Sequence, residues 1–260
     1  MSSLTYNALL KKLARLDFAA QQIFANTDGD ERTWIELLAR PDLGNPAGAS
    51  GSVEHFMLDA YATLGPVTTD LKVLSRAFER LDEVSFFDSH DAGIVSFNIH
   101  PRSIHLDSFA EKVLYLCADY NFDPQRLCLE ILEYCGPRKI STPLAGLTKL
   151  RAAGVSFALD DVVSFATHTP ASMPYHLDFL KLDKSVLWLD RDDGRFFRLV
   201  SDLQVLCRFI KAELVIEGVE TIDHMRSIAD LGIDWLQGHL FSLPQPLEDI
   251  SVETEYKLAL

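Results

Sequence analysis

Two adjacent carboxylates, Asp160 and Asp161, follow the mostly apolar segment 155–159 directly. A continuous apolar run of this kind is typical of a strand buried on both faces. An ionised aspartate is too costly to bury unpaired, so the pair should mark the point where the strand emerges. Two neighbouring carboxylates repel each other, and a bound dication would relieve that repulsion. The alternative for an isolated Asp-Asp pair is a helix N-cap and its neighbour.

The same pattern recurs at or near other predicted strand ends. The polar residues at these ends are Glu36, Asn98, Glu130, Lys181, Glu217 and Gln237. Carboxylate and amide ligands without His or Cys favour Mg²⁺, Mn²⁺ or Ca²⁺ over structural Zn²⁺. So many carboxylates around one lysine could hold two ions, a pair that suits in-line phosphoryl displacement. Each residue taken alone could equally be an ordinary polar strand terminus.

Alternating strands and helices predict how these residues are positioned. The predicted strands are 18–24, 33–39, 93–99, 126–132, 155–159, 178–182, 214–216 and 235–236. The predicted helices are 4–16, 53–64, 68–82, 108–120, 143–153, 194–210 and 222–231. The first two strands are separated by the turn signal 26–30, which is too short for a parallel crossover and predicts a hairpin.

This alternation favours an α/β fold, a (β/α)8 TIM-type barrel in which the first strand is antiparallel. Active sites of such barrels lie at the C-terminal ends of the strands, so the polar residues would meet at one mouth. A doubly wound open sheet is the alternative, although the sequence has no glycine-rich nucleotide-binding motif. In the predicted helix 68–82, Thr68, Thr69 and Asp70 are available as the N-terminal cap.

Composition excludes several other classes of protein. The formal net charge of −14 disfavours binding to a nucleic-acid polymer, which depends on Lys and Arg. No apolar run approaches the roughly 20 residues of a membrane span, and the N-terminus lacks the apolar core of a signal peptide. The cysteines have no metal-binding spacing, which indicates a cytoplasmic protein. We expect one barrel domain over 1–260, with an amphipathic helix at 1–16 and a C-terminal helix or tail at 247–260.

Seven short motifs, in order, resemble those of the EAL-domain cyclic-di-GMP phosphodiesterases over about residues 22–246. They are IELLAR (35–40), VSFN (95–98), LEILE (129–133), ALDD (158–161), LKLD (180–183), IEGVET (216–221) and QGHLF (237–241) followed by Pro244. The resemblance implies an antiparallel first strand and hydrolysis of bis-(3′,5′)-cyclic dimeric GMP to linear pGpG. It also implies two Mg²⁺ or Mn²⁺ ions, inhibition by Ca²⁺, and a homodimer.

The same resemblance implies a role for each matching residue. The metal ligands would be Glu36, Asn98, Glu130, Asp160, Asp161 and Glu217. Lys181 would lie beside the attacking water and the scissile phosphate, and Glu217 is also a candidate general base. The residues that would contact substrate are Gln22, Arg40 and Gln237. Those that would support loops at the mouth are Glu133, Asp183 and Glu220.

One segment departs from the family pattern. After the paired aspartates the family continues F-G-[TSA]-G-Y, whereas residues 162–166 read VVSFA and lack both glycines. Three functions therefore stay open: an active phosphodiesterase, a cyclic-di-GMP receptor or protein-interaction module without turnover, and another metal-dependent barrel enzyme such as an enolase-like one. No sensor, receiver or cyclase segment is evident, so regulation would come from dimerisation, a separate regulatory protein or expression level.

Overall fold

A computed structural model of the chain describes residues 5–26, 30–41, 53–86, 93–132, 145–162, 177–189 and 194–253. The strands are β1 Asp17–Ala25, β2 Thr33–Arg40, β3 Ile94–Ile99, β4 Leu127–Leu132, β5 Ser156–Val162, β6 Phe179–Leu182, β7 Glu213–Ile216, β8 Trp235–Leu236 and β9 Gln245–Pro246. The α-helices are α1 Tyr6–Leu13, α2 Val53–Leu64, α3 Pro66–Glu83, α4 Asp107–Asp119, α5 Ala145–Ala152, α6 Arg195–Ile210 and α7 Ile222–Ile228. Short 3₁₀ helices span Pro124–Arg126, Lys184–Trp188 and Leu247–Asp249.

The first eight strands close into a barrel in the order β2-β3-β4-β5-β6-β7-β8-β1, and β1 pairs back onto β2. Strands β2 to β8 are parallel, whereas β1 is antiparallel to both of its barrel neighbours. The predicted barrel with an antiparallel first strand is therefore confirmed. Strand β9, which the sequence did not predict, pairs with β1 at Ala19 and Ala20.

The strands are buried on both faces because helices cover the barrel and large side chains fill it. Strand β4 (LCLEIL) is buried along almost its whole length, as expected for a central parallel strand. One interior cluster consists of Ile23, Trp34, Cys128, Ala158, Phe179, Val215 and Trp235. The indole Nε1 of Trp34 donates a 2.7 Å hydrogen bond to Ser96 Oγ within this interior. These side chains form a packed floor beneath the barrel mouth.

Helix α3 begins two residues earlier than predicted, and its predicted cap is wrong. Gly65 precedes the helix with φ of 82°, and Pro66 occupies the first turn, where its missing N–H costs nothing. Thr69 and Asp70 lie inside the helix and are buried. Asp70, 1% exposed, accepts hydrogen bonds from Tyr61 Oη at 2.9 Å, His100 N at 3.0 Å and Ser103 Oγ at 2.5 Å. The carboxylate thus joins α2, α3 and the loop after β3.

Asp70 should make stability depend on pH. Burial raises its pKa to about 7, against the lowering effect of its three donors. The folded state therefore holds this proton more tightly than the unfolded chain. The resulting stabilisation is complete below about pH 4 and is lost as the pH rises through about 7. Relative to Asp70→Asn, the wild type should lose roughly 2 kcal/mol of unfolding free energy between pH 5 and pH 7. Urea unfolding of both proteins across this range measures the difference.

The matched control is Asp119→Asn, at an exposed position near the end of α4. That variant should follow the wild-type pH profile throughout. If the difference in unfolding free energy between the wild type and Asp70→Asn stayed constant from pH 5 to pH 8, the raised pKa of Asp70 would be contradicted.

Several predictions fall on residues that the structure does not describe. These are Glu133, the altered loop from residue 163 onward, and the tail from residue 254. Strand β5 extends to Val162, three residues beyond its predicted end, so the aspartate pair lies within the strand. None of the helices in the described ranges combines the length and the apolar character needed to cross a bilayer.

Candidate metal and substrate site

The candidate site lies one layer above the packed floor, because side chains two positions apart on a strand face the same side. On β2, Trp34 is in the floor and Glu36 follows two residues later, and on β4 Cys128 is followed by Glu130. The same spacing links the other floor and site residues: Ser96 with Asn98, Ala158 with Asp160, Phe179 with Lys181, Val215 with Glu217, and Trp235 with Gln237. The barrel therefore collects these separate strand ends at one mouth.

Lys181 is at the centre of this layer and is 1% exposed. Its Nζ lies 2.5 Å from Glu130 Oε2, 2.7 Å from Glu217 Oε1, 3.1 Å from Asp160 Oδ1 and 3.2 Å from Glu36 Oε2. One ammonium group thus faces four carboxylates. If all four carboxylates were ionised, they would leave a large negative excess around this one buried ammonium. Asp161, which is exposed, lies nearby and would add to that excess.

A backbone irregularity lets both aspartates of the pair reach the mouth. On a regular strand, neighbouring side chains point to opposite faces. The pairing of β5 with β6 shifts register between Leu159 and Val162, and Asp161 has φ of 56°. Aspartate tolerates this left-handed conformation better than most residues. Carboxylate oxygens of Asp160, Asp161 and Glu217 consequently all lie within 4.8 Å of one another.

The pKa values of the site reflect burial and crowding of like charge. Burial raises the pKa of Glu130 to about 8, with repulsion from Glu36 in addition. Burial also raises the pKa of Glu217 well above its ordinary value, and that of Asp161 to about 6. Burial alone would lower the pKa of Lys181, but the surrounding carboxylates raise it well above its ordinary value. The site therefore favours additional positive charge.

The donor chemistry fits divalent cations. Three buried side-chain oxygens of the site accept no hydrogen bond from any described residue: Asn98 Oδ1, Glu130 Oε1 and Gln237 Oε1. An unsatisfied buried acceptor is costly, and a cation satisfies it. Asn98 Nδ2 and Gln237 Nε2 meanwhile donate to Glu36, at 3.0 Å and 2.7 Å, and hold that carboxylate in place. These all-oxygen ligands match Mg²⁺, Mn²⁺ or Ca²⁺.

A cavity of about 510 Å³ opens above the acidic layer. We call it the cleft. Glu36, Asn98, Asp160, Asp161 and Glu217 line its polar part. Helix α2 supplies a wall of Val53, Met57, Leu58 and Tyr61, which sequence reasoning did not place near the site. A cleft of this size with an apolar wall and convergent polar groups is typical of a small-molecule site.

The prediction that Gln22 contacts substrate is corrected by its position. Because β1 is antiparallel, Gln21 pairs with Glu36 and faces the mouth, whereas Gln22 pairs with Ile35 and faces outward. The buried Gln22 amide instead exchanges hydrogen bonds with the backbone of Glu253. Gln21 lines the cleft, donates to Ser242 O at 2.8 Å and accepts from Gln237 Nε2 at 3.2 Å. Ile23 lies in the packed floor, and side chains two positions apart on a strand face the same side. Counting two residues back from Ile23 therefore identifies Gln21 as the glutamine that faces the mouth.

The remaining predicted residues have distinct positions. Arg40, the last residue of β2, lines the cleft, and burial lowers its pKa although Glu36 raises it. Glu220 is exposed at the cleft rim. Asp183 caps the 3₁₀ helix after β6 by accepting a 2.9 Å hydrogen bond from Ser185 N. Glu133 lies outside the described residues.

Comparison with known proteins agrees with this geometry. A family model described as EAL domain matches residues 16–244. The cyclic di-GMP phosphodiesterase RocR of Pseudomonas aeruginosa is 26% identical over 152 residues, which are 58% of this chain and 39% of RocR. The match therefore spans less than half of that relative.

Solved structures share the fold at low sequence identity. The EAL enzyme Bd1971, in its form bound to cAMP and cyclic-di-GMP, has a TM-score of 0.75 at 19% identity and is matched over 94% of this chain and 68% of Bd1971. Klebsiella pneumoniae BlrP1, in its calcium and cyclic-di-GMP complex, has a TM-score of 0.70 at 21% identity over 94% of this chain and 57% of BlrP1. With most of its length matched by the family model and its barrel shared with these enzymes, this chain belongs to the EAL-domain family.

Proposed function

We propose that this protein hydrolyses cyclic-di-GMP to linear pGpG with two Mg²⁺ or Mn²⁺ ions. The observation that carries the proposal is the cluster of four carboxylates around the buried ammonium of Lys181, at the base of one cleft. The relative RocR is named for this activity, and BlrP1 is described in complex with cyclic-di-GMP and calcium. Membership of the family and an acidic centre at the barrel mouth support the same reaction here.

The ligand set follows from the residues that face the mouth. Glu36, Asn98, Glu130, Asp160, Asp161 and Glu217 would hold the cations. Bound divalent ions would lower the pKa of water and offset the negative charge that develops on the phosphoryl group. Since binding requires deprotonated carboxylates, loading the site should release protons from Glu130 and Glu217.

The chain's own side chains would perform the remaining steps. Glu217 would accept a proton from the attacking water, because its carboxylate lies at the mouth beside Asp160 and Lys181. Lys181 would stabilise negative charge on the scissile phosphate through its ammonium group. As water adds to phosphorus, the bond from phosphorus to the 3′ oxygen would break. That oxygen would take up a proton from solvent to become a 3′ hydroxyl, and a terminal 5′-phosphate would remain. Arg40 on the cleft wall would bind a phosphate of the substrate.

Metal-dependent turnover is the direct test. Protein freed of metal and reloaded with Mn²⁺ or Mg²⁺ should convert cyclic-di-GMP to pGpG, and excess chelator should abolish the reaction. Chromatographic separation of the two nucleotides measures the conversion. Glu36→Ala is the matched inactive control, because Glu36 accepts hydrogen bonds from both amides and lies 3.2 Å from Lys181. Equal product from wild type and Glu36→Ala would contradict the proposal.

A receptor without turnover is the second candidate, favoured by the missing glycines at residues 162–166. A protein of this kind would be stabilised against heat by cyclic-di-GMP and metal but would form no pGpG. Turnover that chelator removes and metal restores would reject this candidate.

A further inference from the structure

We propose that Lys184 binds the second phosphodiester of the cyclic dinucleotide, the one that is not being cleaved. The inference rests on the proposed function, because it assigns part of the same cleft. It concerns a residue that neither the sequence motifs nor the acidic cluster selected. Lys184 is exposed and lines the cleft two residues after β6.

The barrel order places the two cations that line the cleft on opposite walls. In the ring of eight strands, β2 and β6 are four positions apart, which makes them diametrically opposed. Arg40 is the last residue of β2, and Lys184 follows the end of β6. A ligand that lies across the mouth would therefore meet one cation on each side of the acidic centre.

The backbone fixes the position of the Lys184 Cα and Cβ atoms. Lys184 is the first residue of its 3₁₀ helix, which the Asp183 carboxylate caps. Gly218, two residues after β7, has φ of 67°, and a Cβ added there would clash with Lys184 Cβ. The close approach requires glycine at position 218 and holds the stem of Lys184 against the β7 loop. The side chain starts from a defined position on the cleft wall rather than from a free loop.

The charge of Lys184 is available to a ligand. Its ammonium group forms no ion pair with any residue in the described ranges. By contrast, the Lys181 ammonium is surrounded by carboxylates beneath the cleft. The described acidic residues that line the cleft are Glu36, Glu54, Asp160, Asp161, Glu217 and Glu220, against the two cations Arg40 and Lys184. A second phosphate away from the metal centre would be repelled by this wall unless a cation such as Lys184 met it.

The test is the Lys184→Met variant, with Lys112→Met as the control of equal charge change on an exposed face of α4. Binding is measured by titration calorimetry and turnover by pGpG formation, at two salt concentrations. Lys184→Met should raise both Kd and KM for cyclic-di-GMP roughly tenfold, while kcat changes by less than about twofold. It should also weaken the dependence of Kd on salt. Bis(p-nitrophenyl) phosphate, which has one phosphodiester, should show at most about a twofold change in kcat/KM.

Each result has a distinct meaning. If Lys184→Met matches Lys112→Met in Kd and KM, the assignment of Lys184 is overturned, although the phosphodiesterase proposal stands. An equal loss with both substrates also overturns it, since the effect would then lie at the reacting phosphate or in folding. A wild type that binds the dinucleotide through Lys184 but forms no pGpG supports the assignment and contradicts hydrolysis. A wild type that does not bind the dinucleotide overturns both.

Discussion

Replacement of Lys181 by methionine should abolish hydrolysis and destabilise the metal-free protein by about 3–5 kcal/mol. The Lys181 ammonium lies within 3.2 Å of four carboxylates at the mouth, and its removal leaves them buried without a countercharge. Methionine has a similar length, so packing changes little. Urea unfolding with and without Mg²⁺ measures stability, and pGpG formation should fall by at least about 10²-fold.

Two variants make this prediction specific. Lys112→Met removes an exposed lysine and should leave both stability and turnover near wild type. Adding Glu130→Gln to Lys181→Met should recover part of the lost stability, because an amide in place of Glu130, 2.5 Å from Lys181, removes one carboxyl group from a crowded buried cluster that has lost its cation. Saturating Mg²⁺ should also recover part of it, since the cations replace the missing positive charge. A metal-free Lys181→Met protein as stable as wild type would refute this account of the site.

Asp160→Asn should lower divalent-metal affinity by at least about 100-fold, with a loss of turnover of about 10²–10³-fold. Asp160 is buried, its Oδ1 lies 3.1 Å from Lys181 Nζ, and it shares a 4.8 Å cluster with Asp161 and Glu217. Unlike Lys181→Met, this change should alter the stability of the metal-free protein by no more than about 1 kcal/mol, because Lys181 keeps three other carboxylates. Calorimetric titration with Mn²⁺ measures the affinity.

Asp202→Asn, on the exposed face of helix α6, is the control for the loss of one negative charge. That variant should bind Mn²⁺ and hydrolyse cyclic-di-GMP as the wild type does. Wild-type Mn²⁺ affinity in Asp160→Asn would place the ions elsewhere and would remove Asp160 from the metal site.

The barrel itself could be predicted from the sequence, because the signals that define it are local. Apolar runs such as 155–159 indicate a strand buried on both faces from the residues of the run alone. A link as short as 26–30 allows only a hairpin, which makes the first strand antiparallel to the second. Polar residues at strand ends could likewise be grouped, because parallel strands place their C-terminal ends at one mouth.

Cross-strand register decided what the sequence left open. Gln21 and Gln22 are the same residue type, and only the pairing of Gln21 with Glu36 shows which one faces the mouth. Asp161 reaches the acidic cluster through a shift of register that depends on β6, a strand 17 residues further along the chain.

Long-range packing determined the remaining features. Asp70 looked like a cap because a carboxylate near a helix start is a local signal, yet Ser103 and His100 make it a buried acceptor. Lys184 became a candidate ligand only when ring closure set β6 opposite β2. Side-chain chemistry and strand propensity follow from the identity of each residue and its neighbours in sequence. The direction in which a side chain points, and the groups that it contacts, depend on residues distant in sequence.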